Sequence, residues 1–377
     1  MPDIADLTPP DDGSRDRIDV HHHFCAPEWL AWAEGQGLVN RKALPPWARW
    51  DSAAALDLMD RAGIATAVLK PMLPARYATS AQLREATGIT LRAAAEVTAA
   101  HPGRFAFHAP LFLDDPEVSL WALRRGLDEL GAVGVNVTAN YGGVYLGDPS
   151  YAPLFAELND RSAIVDTHPH NLPLPTGAPR PGGAPSPGGT PGPGADGAPF
   201  PGGTPFPDGA PGGGGTPGPG AVAVPGIPNF LCDFLLDTTR AALNMIHKGT
   251  LDRFPNLSVI LPHAGGFLPH IATRVQAFAG ALTPPVDPAM VRDHLRRFYY
   301  DTAGPMSPAG TLLAMAAPDR ILFGSDWPAC PADMVTDIAL PALAGDPALT
   351  PAHHRAINRD NALRLMPSLA PLSPARV

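Results

Sequence analysis

Eight short apolar runs, spaced by stretches of helical periodicity, set the strongest limit on how this chain of 377 residues can fold. The runs are Ile18 to Phe24, Thr66 to Met72, Phe105 to Leu111, Gly134 to Ala139, Ala163 to His168, Ser258 to His263, Phe298 to Thr302 and Ile321 to Ser325. Helical stretches lie between them, among them Asp51 to Arg61, Ala81 to Ala99, Pro116 to Leu130, Thr238 to Lys248 and Pro308 to Ala316. Apolar strands alternating with amphipathic helices make a parallel sheet with crossover helices. Eight such units close into a (β/α)8 barrel of the TIM type more economically than they lie open, so the expected fold class is α/β. Ligand-type residues stand at the carboxyl ends of the runs: His21 and His23 on the first, His168 on the fifth, His263 on the sixth, Asp301 on the seventh and Asp326 after the eighth. In a barrel those ends converge on one mouth, where active sites are built.

One stretch cannot belong to this pattern. Much of the chain's 38 Gly and 48 Pro falls between Leu172 and Pro228, in segments such as Gly212-Gly-Gly-Gly-Thr-Pro-Gly-Pro-Gly. Too few large apolar groups remain there to offset the entropy of ordering, which predicts a disordered insertion. The periodic pattern resumes afterwards in the same style, so the insertion divides one domain. The expected organisation is a flexible N-terminus over 1–16, the first part of the barrel over 17–171, the insertion over 172–228, the second part over 229–369 and a tail over 370–377.

A net charge of −9 leaves no basic stripe to neutralise phosphates, which argues against a nucleic-acid partner and for a small molecule. Cys25, Cys232 and Cys330 are odd in number, far apart and without a Cys-x-x-Cys pair, so neither a disulfide framework nor a thiolate zinc cage is indicated. The Asp- and Pro-rich start, Met1 to Arg17, does not resemble a signal peptide, and no run approaches the roughly 20 apolar residues of a membrane span. The expected setting is the cytoplasm, away from membranes.

The chemistry is carried by a few short motifs. In Ile18-Asp-Val-His-His-His-Phe, a strand period of two sends His21 and His23 to one face and His22 to the other, so the pair can bite a divalent ion. Ile164-Val-Asp-Thr-His-Pro-His repeats the spacing, and either His168 or His170 can serve as a third ligand. His263, in Leu261-Pro-His-Ala-Gly-Gly, is a fourth ligand, a general acid/base, or a residue that merely fixes the glycine turn. Asp326, in Phe323-Gly-Ser-Asp-Trp-Pro, is a metal ligand and proton carrier or a helix N-cap. Asp301 and Asp19 are expected to play structural roles or to orient a ligand.

Together these motifs resemble the amidohydrolase superfamily, in the branch of aminocarboxymuconate-semialdehyde decarboxylase and the salicylate- and resorcylate-type decarboxylases. Asn140-Tyr-Gly-Gly-Val-Tyr-Leu-Gly-Asp-Pro, Phe155-Ala-Glu-Leu-Asn and Asp237-Thr-Thr-Arg-Ala are similar to the 6-methylsalicylate decarboxylases. The resemblance implies a barrel of the metal-dependent hydrolase fold, with metal ligands His21, His23, His168 and Asp326. It also implies His263 and Asp326 as catalytic groups, and Arg274 as an arginine that reaches a neighbouring subunit's site to bind a substrate carboxylate. His170 stands beside them as a substrate contact, and a homodimer follows from Arg274. The semialdehyde decarboxylase also has an early-chain arginine with no clear counterpart here near Arg49. Three imidazoles and a carboxylate suit one divalent ion, zinc ahead of manganese. The expected reaction is non-oxidative decarboxylation of a small aromatic, salicylate-type, or unsaturated carboxylic acid. The alternative is hydrolysis of a lactone, ester or amide on the same barrel.

Overall fold

The computed structural model describes residues 11–45, 48–73, 76–172, 227–304 and 309–370. Eight parallel strands follow one another around a single sheet in chain order. They are β1 (Arg17–Phe24), β2 (Ile64–Pro71), β3 (Phe105–Pro110), β4 (Gly134–Thr138), β5 (Ile164–His168), β6 (Ser258–Leu261), β7 (Tyr299–Asp301) and β8 (Ile321–Leu322). The last strand returns to the first. Val20 N–H donates to the Phe323 carbonyl at 3.0 Å, Asp326 N–H to His21 at 2.9 Å, and His23 N–H to Trp327 at 2.7 Å. The sheet is thus a closed barrel, as the alternating pattern predicts.

The helices used below are α1 (Pro27–Gly35), α2 (Ser52–Ala62), α3 (Ser80–Ala100), α4 (Pro116–Leu123), α5 (Ala152–Asp160), α6 (Asp233–His247), α7 (Thr250–Arg253), α8 (Leu268–Phe278) and α9 (Pro288–Arg297). Their ends follow local chemistry. Asp51 accepts a hydrogen bond from Ala54 N–H to start α2, and Gly63 stops it with φ of 64°, a left-handed value that suits glycine. Thr79 and Asp115 cap α3 and α4 in the same way. The helix expected over Pro116 to Leu130 changes at Arg124 into wider π-type turns through Glu129. Gly126 lies in those turns, where a Cβ would stand 2.4 Å from the Ala109 Cβ of β3, so the close approach requires glycine.

Other boundaries also move. The helix expected from Thr238 begins at Asp233, and that expected over Pro308 to Ala316 is a 3₁₀ stretch, Ala309–Ala314, in which Gly310 N–H donates to Asp346. Pro308 itself, the insertion from 173 to 226, residues 1–10 of the expected N-terminus and 371–377 of the expected tail lie outside the described residues. Among the described residues no helix is long and apolar enough to cross a membrane.

Two apolar cores result. The larger lies between barrel and helices, where Leu58 and Met59 of α2, Leu91 of α3 and Met245 of α6 join Leu69, Phe107 and Val165 of the strands. The smaller fills the floor of the barrel: Ile18, Val20, Val68, Ala106, Ile164, Ile260 and Leu322, closed from below by Ala362 and Met366. Strand β1 is irregular above that floor. Asp19 pairs with Ala67 and His22 with Leu69, three residues against two, so β1 carries a bulge there. Val20 points into the floor below the bulge, and His21 lies among the imidazoles of the mouth just above it.

Candidate metal centre

Strands β1 and β5 and the segments that follow β6 and β8 deliver side chains to one point above the floor. The ring of His21 lies 5.0 Å from that of His23, 5.6 Å from that of His168 and 5.1 Å from that of His263, centre to centre. Potential ligand atoms of His21, His23 and His168 all fall within 4.8 Å of one another, and so do those of His21, His263 and Asp326. Asp326 Oδ1 is 2.9 Å from His23 Nε2, 3.3 Å from His21 Nε2 and 3.8 Å from His263 Nε2.

The hydrogen bonds fix which nitrogen faces inward. His21 Nδ1 is 2.7 Å from Asp301 Oδ2, and a carboxylate there can only accept, so Nδ1 carries the proton. His21 Nε2 then holds a lone pair, is buried without a hydrogen-bond partner, and points at a carboxylate oxygen. Two electron-rich atoms in that position call for a cation between them. His168 Nδ1 donates to the Pro169 carbonyl at 2.8 Å, which leaves its Nε2 free in the same sense. The residues present therefore fit a divalent ion.

Their ionisation agrees with that use. Burial, and next the Lys70 charge, keep His21 well below the ordinary imidazole value; burial, and next His23, do the same for His168. Burial alone would raise Asp326, but hydrogen bonds, first from His23 and then from His263, hold it well below the usual carboxylate range. Neutral imidazoles and an ionised carboxylate are the forms that bind metal.

The frame around the site is polar and fully enclosed. Asp301 accepts from His263 N–H at 2.8 Å and from Ala303 N–H at 3.1 Å while it holds His21. Asp19 accepts from Ser325 N–H and Oγ and faces His22 Nδ1 at 3.0 Å, so it ties β1 to the segment that bears Asp326. His22 lies on the opposite face from its neighbours, its ring 4.8 Å from that of Trp327 and tilted to it by 43°, as a period of two requires. Asp326 adopts φ of 61°, and its side chain turns to the histidines rather than capping a helix. His263 is not a strand residue: β6 stops at Leu261, and residues 263–266 all take left-handed φ. Gly266 is pressed so close to the Leu235 carbonyl of α6 that a Cβ would come within 2.2 Å of it.

His170 stands at the rim, half-buried, with its N–H donating to Asp237 Oδ2 at 2.8 Å. Asp237 of α6 also accepts from Asn140 Nδ2 at 2.8 Å, and burial pushes its carboxyl up to about 6. Phe234, one turn earlier on α6, sets its ring 6.4 Å from that of His168. Arg274 is not part of this cluster; it is exposed on α8, its guanidinium 5.1 Å from the Phe278 ring. Sequence reasoning passed over Lys70, His108 and Asp166, which are wholly buried beneath the histidines. A lysine within Ala67-Val-Leu-Lys-Pro and an aspartate within Ile164-Val-Asp-Thr were visible signals, because charge inside an apolar strand needs a partner.

Residues 18–367 match the family model described as Amidohydrolase. The chain is 27% identical over 374 residues to a 6-methylsalicylic acid decarboxylase of Aspergillus aculeatus, covering 94% of this chain and 96% of the relative. It is 29% identical over 337 residues to a gamma-resorcylate decarboxylase of a Rhizobium species, covering 83% and 88%. Among solved structures it resembles a dihydroxybenzoic acid decarboxylase from Polaromonas, determined with manganese and the inhibitor 2-nitroresorcinol, with a TM-score of 0.68 and 23% identity over 95% of this chain and 100% of that one.

Proposed function

We propose, from the premise that this chain belongs to the amidohydrolase family, that it is a metal-dependent carboxy-lyase releasing CO₂ without oxidation from a small aromatic acid of the salicylate or resorcylate type. The observation that carries the reading is the ring of imidazoles around Asp326, with the His21 Nε2 lone pair aimed at a carboxylate oxygen. The names of the Aspergillus and Rhizobium relatives support decarboxylation over hydrolysis.

His21, His23, His168 and Asp326 would hold one divalent ion, and zinc suits that donor set, with manganese, as in the Polaromonas structure, its rival. When bound, the ion would supply a fixed positive charge in the mouth that offsets the charge of a carboxylate substrate. The chain's own residues move the proton. Asp326 and His263 face each other across 3.8 Å, and one of them, after taking up a proton from solvent, delivers it to the ring carbon that bears the carboxylate. That carbon becomes tetrahedral and conjugation is interrupted. The bond to the carboxylate then breaks, its electron pair returns to the ring, and CO₂ leaves, so carboxylate plus one proton yields arene plus CO₂. Buried Asp301 and Asp19 hold the participants still, which keeps reorganisation small. His170 at the rim contacts the substrate, and Arg274, outward on α8, serves the mouth of a second copy in a homodimer.

The test is metal content of the purified chain, followed in the same preparation by CO₂ release from a panel of salicylate-type acids. About one zinc per chain with CO₂ evolved is the expected result. Metal with a hydrolysed or ring-opened product would make the enzyme a hydrolase, and a chain that takes up no metal would end the reading. Sedimentation of that preparation should give a dimer; a monomer would remove the role given to Arg274.

A further inference from the structure

Directly below the imidazoles the barrel interior holds a set of charges that the proposed reaction does not use. Lys70 projects from β2 with its ammonium fully enclosed, and its closest oxygens lie on β5: Asp166 Oδ1 at 2.9 Å and the Thr167 carbonyl at 3.2 Å. Strands β3 and β4 stand between β2 and β5 in the sheet, so the side chain crosses the interior instead of pairing with a neighbour. The other carboxylate oxygen of Asp166 meets His108 Nδ1 of β3 at 3.1 Å. On its remaining side the ammonium lies 3.3 Å from His21 Nδ1.

Stability alone does not account for this arrangement. Desolvating two charges offsets most of their attraction, and packed hydrocarbon of the same volume serves a fold as well or better. What the ammonium touches suggests another role. One contact is the His21 ring, and another is the backbone of Thr167, the residue before His168. His21 Nδ1 already gives its proton to Asp301, so Lys70 does not bond to that nitrogen but borders it. Turning the ring over would put a carbon-bound hydrogen against the Asp301 carboxylate, so Asp301 sets the ring's orientation and Lys70 packs against its edge from below. The Thr167 hydroxyl donates to the Ile260 carbonyl at 2.8 Å, which fixes that point of β5 from the other side.

We propose that Lys70, clamped by Asp166, is a positioning residue of the metal centre: a cross-barrel strut that ties β2 to β5 directly beneath the His21 ring and so holds His21 and His168 facing one ion. This rests on the metal reading above.

The test uses the full chain with both charges replaced by apolar groups, K70M/D166L, and reads metal binding and stability separately. With Zn²⁺ titrated against a competing chelator, the dissociation constant is expected to rise about 10–100-fold. The visible absorption of the Co²⁺-loaded protein, which reports ligand geometry, is expected to change. Thermal unfolding of the metal-free variant should match or exceed that of the parent. A folded double variant with the parent's zinc affinity and cobalt spectrum would overturn the strut. If K70M/D166L does not unfold cooperatively, D166N takes its place, since it keeps the shape and removes the counter-charge. Weaker zinc binding and an altered cobalt spectrum in D166N would support the strut, and parental values of both would overturn it. K70R, which keeps the charge, should recover part of the lost affinity. A parent chain that binds no metal overturns the metal reading and the strut together, whereas metal bound equally by parent and variant overturns the strut alone.

Discussion

The floor of the barrel and the layer immediately above it are built by the same strands, yet they differ in almost every physical respect. Val68 and Lys70, Ala106 and His108, and Ile164 and Asp166 are pairs two residues apart, and in each the first is part of the apolar floor while the second is a buried polar or charged group. The floor gains from being dry: burying an aliphatic side chain there contributes roughly 1.5–3 kcal/mol. The upper layer loses by the same dryness, because every carboxylate and imidazole must find a partner or leave a buried acceptor or donor unsatisfied. It holds together through mutual pairing, Asp301 with His21, Asp166 with Lys70 and His108, and Asp19 with Ser325 and His22. Within one barrel, then, stability and chemistry are separated by a single step along each strand.

That separation can be broken by experiment. The largest effect belongs to Asp326→Asn, which removes the carboxylate shared by three histidines and is expected to cut CO₂ release by about 10⁴-fold while the chain still unfolds cooperatively. Undiminished turnover in a steady-state assay would show that the upper layer does not carry the chemistry. Next is Ile260→Ala in the floor, expected to cost about 2–5 kcal/mol in denaturant unfolding and to leave metal content per folded chain unchanged. Metal lost in proportion to stability would mean that the two layers are one. The smallest is Asp301→Asn. Its Oδ1 can still accept from His263 and Ala303, but an amide NH₂ against His21 Nδ1 favours the tautomer with the proton on Nε2, where the ion must bind. Zinc affinity should weaken about 10–100-fold, worth about 1.4–2.7 kcal/mol, by chelator competition. Unchanged affinity would take Asp301 out of the orienting role.

The strands were legible because each is a short apolar run, and α2 and α3 because each has a helical period; the caps at their ends, Asp51, Gly63 and Thr79, come from the structure. The spacing of His21 and His23 placed both on one face, where the structure has them. What could not be read depended on contacts between distant parts of the chain. Pro262 marks the end of β6 at Leu261, but no local signal announces the left-handed φ of His263 and Ala264, neither of which is glycine. Gly126 reads as a helix weakness until Ala109 is seen beside it. Lys70 and Asp166 are 96 positions apart, and neither announces its partner.

The bulge in β1 has a consequence for how this site can be altered. Below it, the even-numbered residues Ile18 and Val20 face the barrel axis; above it, the odd-numbered His21 and His23 do. The strand is thus read in two phases, and the extra residue is the switch between them. Deleting Val20 from the bulge would keep every histidine of the motif yet move the His21 and His23 pair to the helix-facing side, because a one-residue slip exchanges the two faces of a strand. Which side chains face the mouth is therefore a property of a count as much as of a sequence, and deleting that one codon is expected to abolish metal uptake, read as metal content of the folded variant, with all four proposed ligands still present.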